Sequence, residues 1–198
     1  MQLDNIPLPD AELRYAEQFY RPDQADRLFR ALQNELPWQQ HRVKLFGKEH
    51  PAPRLSAWHG DSGASYAYSG QRYQPHDWTP ALREIRADLE RHLQERFNSL
   101  LANRYRDGQD SMGWHSDNEA DLGEKPLIAS LSFGVPRRFV LRHRYHPAQE
   151  DVDMMLAHGS LLIMAGDCQK GWKHQLPKSK KVSGERINLT FRQIRMME

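Results

Sequence analysis

The sequence predicts an α+β protein whose helices come first and whose core is mainly β, of the sandwich or jelly-roll type. Three observations carry that prediction. The first half holds two segments with apolar residues at 3–4 spacing, the mark of amphipathic helices. Beyond residue 100 the period shortens in LIASLSF (127–133), RFVLR (138–142), SLLIMA (160–165) and RINLTFR (186–192), all punctuated by Gly and Pro. No helical pattern separates these strands, which argues against a parallel sheet with crossover helices. At 198 residues the chain suits one domain with an extension. A chain of that size buries about 70% of its unfolded surface, so neither a disulfide nor a metal is needed merely to fold it.

Taken in order, residues 1–40 are expected to form an acidic, helical extension and residues 41–198 the main domain. Residues 1–35 carry seven acids against four arginines, a balance of −3, which leaves +5 on the remainder of a chain of net charge +2. In ADRLFRALQNEL, Leu28, Leu32 and Leu36 share one face with Phe29, and Asp23 is the expected N-cap. Segment 41–76 reads as strand and turn, with a hairpin tip at Phe46-Gly47-Lys48. A second helix begins at Thr79-Pro80, where proline's missing N–H costs little, and aligns Leu82, Ile85, Leu89, Leu93 and Phe97. The excess positive charge lies in two places. Arg137, Arg138, Arg142 and Arg144 fall within eight residues, and Lys170, Lys173, Lys178, Lys180, Lys181 and Arg186 stand against one acid, Glu185. Such patches suit a polyanion.

Several classes are excluded. One cysteine, Cys168, allows neither a disulfide framework nor a Cys-rich zinc site, and it reads as a buried small hydrophobe. The start MQLDNIPLPDAELRY lacks the basic and apolar regions of a secretory signal, and the densest apolar stretch, Leu161 to Ala165, is too short to span a bilayer. A monomer without membrane contact is expected, cytoplasmic or, in a eukaryote, nuclear.

The chemistry begins with His115-Ser116-Asp117. On an extended backbone side chains at i and i+2 share a face, so the imidazole and the carboxylate could meet one metal ion. A second histidine would complete the two-histidine, one-carboxylate arrangement that leaves open positions on Fe(II). The dipeptide spacing alone is weak. With 14 Asp and 10 His, roughly 0.7 such pairs arise by chance, and His59-Gly60-Asp61 is a second one.

The final strand adds specificity. Its alternation turns Ile187, Leu189 and Phe191 one way and Arg186, Asn188, Thr190 and Arg192 the other. The arginine Cα atoms stand about 20 Å apart, which two long side chains reaching inward reduce to a gap comparable with a small dicarboxylate. The planar guanidinium suits a carboxylate because it bonds both oxygens. For the third metal ligand His143, His146, His158 and His174 all remain open. The first two lie in a basic HRYHP stretch that reads as a surface loop.

These residues together resemble the AlkB family of Fe(II)- and 2-oxoglutarate-dependent dioxygenases, most closely its members that repair duplex DNA. The likeness covers roughly residues 41–193. It rests on Asn103-Arg104-Tyr105-Arg106-Asp107-Gly108, His115-Ser116-Asp117, Pro126 to Gly134, His158-Gly159-Ser160-Leu161, His174, and the strand Arg186 to Arg192. The resemblance implies a double-stranded β-helix, a jelly-roll relative. It implies that His115, Asp117 and His174 hold Fe(II) and that the His59 pair is a decoy. It implies further that Arg186 and Arg192 bind the ends of 2-oxoglutarate, helped by Asn103, Tyr105 and Thr190. The implied reaction uses O2, yields succinate and carbon dioxide, and oxidises an N-methyl carbon of a damaged DNA base, which leaves as formaldehyde.

A base within a duplex must be flipped out before such chemistry. The segment Val43 to Lys48 resembles the family's wedge hairpin, with Phe46 entering the gap and Lys44 and Lys48 on phosphates. Ala64 to Gly70 matches the family's lid within a nucleotide-recognition region of about 41–76; there Tyr68 would stack on the base and Tyr66 would hydrogen-bond nearby. 1-Methyladenine and 3-methylcytosine are cations, which favours an aromatic face and an acid, here Glu119. Arg54 matches a position near substrate. Where relatives commonly have a second acid after the metal aspartate, this chain has Asn118, which can hydrogen-bond a base edge without attracting a cation.

Overall fold

A computed structural model describes residues 2–45, 47–64, 66–68 and 71–195, the side chains of 44, 45, 66–68 and 71–73 lying outside the description. The chain opens with β1 (Asp4–Ile6), β2 (Glu12–Ala16) and α1 (Pro22–Glu35). There follow β3 (Arg42–Leu45), β4 (Lys48–Pro51), β5 (Leu55–Gly60), β6 (Tyr66–Tyr68), β7 (Gln71–Tyr73) and α2 (Pro80–Leu93). The β-rich part comprises β8 (Ser99–Tyr105), β9 (Met112–His115), β10 (Ile128–Gly134), β11 (Arg137–His143), β12 (Val152–Leu156) and β13 (Ser160–Ala165). A short α3 (Cys168–Gly171), β14 (Trp172–Leu176) and β15 (Arg186–Arg192) complete the fold.

The strands form a seven-stranded sheet, β1-β2-β13-β10-β15-β8-β5, and a four-stranded one, β12-β11-β14-β9, with two separate hairpins, β3–β4 and β6–β7. Every ladder between named strands is antiparallel. This is the expected jelly-roll arrangement. The larger sheet is buried on both faces because alternate residues serve two cores. Leu131, Phe133, Leu161, Ile163, Ile187, Leu189 and Phe191 pack against Leu28, Leu32, Leu82, Ile85 and Leu89 of the helices. On the other face Ile128, Leu162 and Met164 meet Phe139, Leu141, Trp172 and Leu176 of the smaller sheet.

The second helix starts as read: Thr79 Oγ1 accepts from the Leu82 N–H, and Pro80 fills the first turn. The first does not. Pro22 sets the helical φ at the first position, so Arg21 is the N-cap, without a side-chain cap bond, and Asp23 falls inside the first turn. Its carboxylate there bonds Arg21 and complements the helix dipole. The acidic N-terminal segment, read only as helix, also supplies β1 and β2, and β2 pairs with β13 along five residues. The HRYHP segment is a surface loop from Arg144 on, but its first residue is not part of it. His143 closes β11, is 6% exposed, and its Nδ1 accepts from the backbone N–H groups of Tyr145 and His146.

Candidate active site

Strand pairing assembles the metal triad. His115 ends β9 and lies opposite His174 of β14, with an irregularity in the register just beyond, so the imidazole centroids stand 4.3 Å apart. Asp117 follows two residues later, and the ligand atoms of all three groups fall within 4.8 Å of one another. Among the described residues no other His, Cys, Asp or Glu cluster does this. His115 Nδ1 donates to the Gly113 carbonyl at 2.9 Å, which leaves Nε2 its lone pair. Burial pushes the His174 pKa down to about 3, and the neighbouring His115 acts in the same direction, so the ring is neutral and competent as a ligand. Burial alone would raise the Asp117 pKa, but Arg192, His174 and His115 hold it below the ordinary carboxylate range. The Asp117 backbone N–H donates to Gln169 Oε1 at 2.9 Å, and Oδ1 accepts from Arg192. Two imidazole nitrogens and a carboxylate, convergent and two of the three buried, fit Fe(II).

The triad opens into a cavity of about 470 Å³ between the two sheets. Its polar end is lined by Asn103 and Tyr105 of β8 and by Arg186, Asn188, Thr190 and Arg192 of β15, while Met112, Phe139, Met164 and Leu176 form an apolar wall. Arg186 is 2% exposed, donates to Ser132 Oγ at 2.9 Å and lies 5.3 Å from the Tyr105 ring centroid. Among the described residues none of its partners is a carboxylate and its Nε has no partner, and burial pushes its pKa down to about 10. A buried guanidinium without a counter-ion costs several kcal/mol, so an anion bound there recovers stability. The residues therefore fit one carboxylate of 2-oxoglutarate at Arg186. Arg192, at the other end of the row, sits against Asp117 and the metal triad.

Around the mouth stand His41, Arg54, Trp58, Gln74, His76 and Glu119. Glu119 caps a single 3-10 turn at 120–122 and, with Asp117, is one of two carboxylates lining the cavity among the described residues. Lys48 is exposed on β4, beside the Arg42–Glu49 ion pair.

Comparisons with known proteins agree with this geometry. The model of the 2OG-Fe(II) oxygenase superfamily matches residues 12–192. Human DNA oxidative demethylase ALKBH2 is 41% identical over 180 residues, covering 86% of this chain and 69% of that protein. The chain belongs to the AlkB family of 2OG-Fe(II) oxygenases. The bovine ALKBH2 is 43% identical over 180 residues, and mouse alpha-ketoglutarate-dependent dioxygenase alkB homolog 3 is 40% identical over 178. Each match covers 86% of this chain, which spans only 65% and 62% of those two relatives. Among solved structures, that of OsALKBH1 superposes with a TM-score of 0.65 at 16% identity, covering 97% of this chain and all of the other, a likeness of fold.

Within this AlkB chain the other histidines have separate work. His158 Nδ1 accepts from the Gly134 N–H and its Nε2 faces Asp26, while the His143 and His146 rings lie tilted against each other at 4.5 Å. Of the residues read as substrate contacts, Glu119 and Arg54 reach the cavity, whereas Asn118 is exposed and outside its lining. Phe46 and the side chains of Lys44, Tyr66 and Tyr68 lie outside the described residues; the β3–β4 and β6–β7 ladders that carry the backbones of Lys44, Tyr66 and Tyr68 are in place. Sequence reading missed Trp58, His41, Gln74 and His76. Only Trp58 left a signal, standing two residues from Ser56 on the same side of β5.

The two basic segments also differ. Arg138 and Arg142 are paired with Asp153 and Asp151, Arg144 donates to Ser116 Oγ, and the buried Arg137 donates to the carbonyls of Asp107, Asp110 and Pro177. Lys178, Lys180 and Lys181 are exposed without an acidic partner among the described residues. Of the two basic segments, the loop between β14 and β15 is therefore the one that keeps unpaired positive charge.

Proposed function

We propose that this protein is a DNA-repair dioxygenase that removes methyl groups from the ring nitrogens of damaged bases such as 1-methyladenine and 3-methylcytosine. The observation that carries the reading is one cavity uniting the His115–Asp117–His174 triad, a buried arginine lacking a counter-ion, and a mouth bearing an aromatic ring and an acid. Fe(II), with 2-oxoglutarate and O2, supplies the oxidising chemistry that hydroxylates the N-methyl carbon, succinate and carbon dioxide being the coproducts. Arg186 anchors the distal carboxylate, with Tyr105 beside it, and Arg192 and Thr190 serve the end nearer the metal. Trp58 offers the flipped base a face and Glu119 its charge, and the apolar wall excludes water from the oxidised carbon.

DNA as the substrate is supported by the relatives named DNA oxidative demethylase and by the unpaired lysines of the 177–184 loop. Duplex repair by a monomer rests on the wedge reading of Phe46, with Lys44 and Lys48 on the backbone and the lid tyrosines Tyr66 and Tyr68 over the base. The test is formaldehyde release from an oligonucleotide containing 1-methyladenine, single-stranded and duplex, with Fe(II), 2-oxoglutarate and ascorbate. Product from wild type and none from His115→Ala is expected, and Phe46→Ala should lose duplex repair more than single-strand repair. Consumption of 2-oxoglutarate without formaldehyde from either DNA would overturn the DNA assignment. Equal losses in Phe46→Ala would overturn the duplex one.

A further inference from the structure

Asn103 and Asn188 face each other across the β8–β15 ladder, and both line the cavity. They are 3% and 9% exposed, yet their amides are used differently. Asn188 is saturated: Nδ2 donates to Ser130 Oγ and to the Leu131 carbonyl, each at 2.9 Å, and Oδ1 accepts from Thr190 Oγ1 at 3.2 Å. Asn103 Oδ1 accepts from Arg54 Nε at 3.1 Å, while its Nδ2 has no protein partner among the described residues. A buried amide is therefore left with open donors on the wall of a cavity read as a carboxylate site.

We infer that Arg54 is a positioning residue for 2-oxoglutarate, holding the Asn103 amide with its NH2 group turned to the cavity. An asparagine side chain can exchange its oxygen and nitrogen by a half-turn, and only one orientation serves an anion. A carboxylate accepts hydrogen bonds and is repelled by the amide oxygen. Guanidinium donates only, so Arg54 can bond Asn103 through the oxygen alone, and that bond selects the productive orientation. Arg54 is itself fixed. Its second arm donates to the Ser111 carbonyl at 3.3 Å, and the Ser111 N–H returns to the Pro53 carbonyl at 2.9 Å. The contact ties the end of the β3–β4 hairpin region to the cosubstrate pocket and to the segment entering β9, which carries His115. It gives Arg54 a role distinct from contact with the base.

This inference rests on the 2-oxoglutarate reading of the cavity, and the experiment separates the two. 2-Oxoglutarate is titrated calorimetrically into Mn(II)-loaded wild type, Arg54→Gln, Arg54→Lys, Asn103→Ala and the Arg54→Gln/Asn103→Ala double variant. Arg54→Gln, whose amide can bond either orientation of Asn103, should raise the Kd about tenfold, the loss of one charge-assisted contact. Arg54→Lys, a donor without the fork, should lose less. Asn103→Ala should resemble Arg54→Gln, and the double variant should be no worse than Asn103→Ala. In turnover the KM for 2-oxoglutarate should rise by more than the KM for the oligonucleotide. Wild-type affinity in Arg54→Gln, multiplying effects in the double variant, or a change confined to the oligonucleotide KM would each overturn the positioning role. Failure of Mn(II)-loaded wild type to bind 2-oxoglutarate would overturn the cosubstrate reading instead.

Discussion

Gly108 should be among the most sensitive positions outside the cavity. It lies between Tyr105 and the metal ligands, pressed beneath the 177–184 loop. A Cβ built there would stand 1.9 Å from the Ser179 carbonyl oxygen and 2.6 Å from that of Val182, both backbone atoms. The same glycine exchanges two hydrogen bonds with the loop, its N–H to Val182 O at 3.0 Å and its carbonyl from Ser179 N at 2.7 Å. No rotamer relieves that clash, so Gly108→Ala must lift the loop and stretch both bonds. Overpacking costs about 1–3 kcal/mol and each of the two lost bonds about 1 kcal/mol, for a total of roughly 3–5 kcal/mol. For a chain of this size that is a fall in Tm of about 6–20 °C. Gly113→Ala is the matched control: nothing lies within 4 Å of its added Cβ, and it should be neutral or stabilising by up to about 1 kcal/mol. Thermal melts of the two variants provide the assay, with oligonucleotide affinity as a second reading because the lifted loop carries Lys178, Lys180 and Lys181. A Gly108→Ala protein melting within 2 °C of wild type would show that the loop is not anchored there.

Three further outcomes follow from the same contacts. Asp117→Asn removes a metal ligand and leaves Arg192, 6% exposed, facing a neutral amide. Mn(II) binding by calorimetry should be lost and the apo protein should melt about 3 kcal/mol less stable; wild-type metal affinity would contradict the triad. Replacing Lys178, Lys180 and Lys181 with alanine should reduce the slope of log affinity against log salt for duplex DNA by about 2–3, and an unchanged slope would place the backbone contacts elsewhere. Acid should unfold the protein through Asp61, Glu90 and Asp110. Burial raises each pKa, but hydrogen bonds and charges from Arg86 and Trp78 at Asp61, from the Phe97 N–H and Arg86 at Glu90, and from Arg106 at Asp110 outweigh it and hold all three low. A depressed folded pKa stabilises above the unfolded value and is lost as pH falls through the folded one. Urea midpoints should therefore be level above about pH 5 and fall below pH 4, and Asp110→Asn should flatten that fall; an unaltered profile would refute the role of its pair with Arg106.

Legibility of the fold depended on whether a strand's inward face is apolar. SLLIMA and RINLTFR were readable to the residue because both of their faces meet protein. β14 was not, although it alternates as cleanly: Trp172, His174 and Leu176 are buried while Lys173 and Gln175 are half-exposed. With an imidazole at the central inward position, the apolar period is interrupted where the site is built. β9, four residues long with Gly113 inside it, fails for the same reason and for brevity. The N-terminal strands were hidden differently. DNI is a short edge strand that pairs with ELRYA, and ELRYA in turn is held by β13 rather than by its own propensity. Periodicity thus finds the scaffold and goes blind at the cavity wall, so His174 could be chosen over His143, His146 and His158 only through the family resemblance.

The two His-x-Asp pairs show what the wall adds to a motif. His59 and Asp61 have the same spacing as His115 and Asp117, and His59 is the more buried of the two histidines. Yet the imidazole Nδ1 and the carboxylate are held by other groups. His59 Nδ1 donates to the Asp77 carbonyl at 2.7 Å, while both Asp61 oxygens accept from Arg86, at 2.7 and 3.2 Å, and Oδ1 also accepts from Trp78 Nε1 at 2.7 Å. Such a carboxylate is already neutralised by Arg86, and the pair locks β5 to the start of α2. Asp117 gives Arg192 one oxygen only; the other stays 3.8 Å from His174 Nε2, inside the cluster where a cation would sit. The candidate metal site is therefore set apart less by the dipeptide than by a fold that gives the aspartate a guanidinium on one oxygen and brings the His174 imidazole to the other.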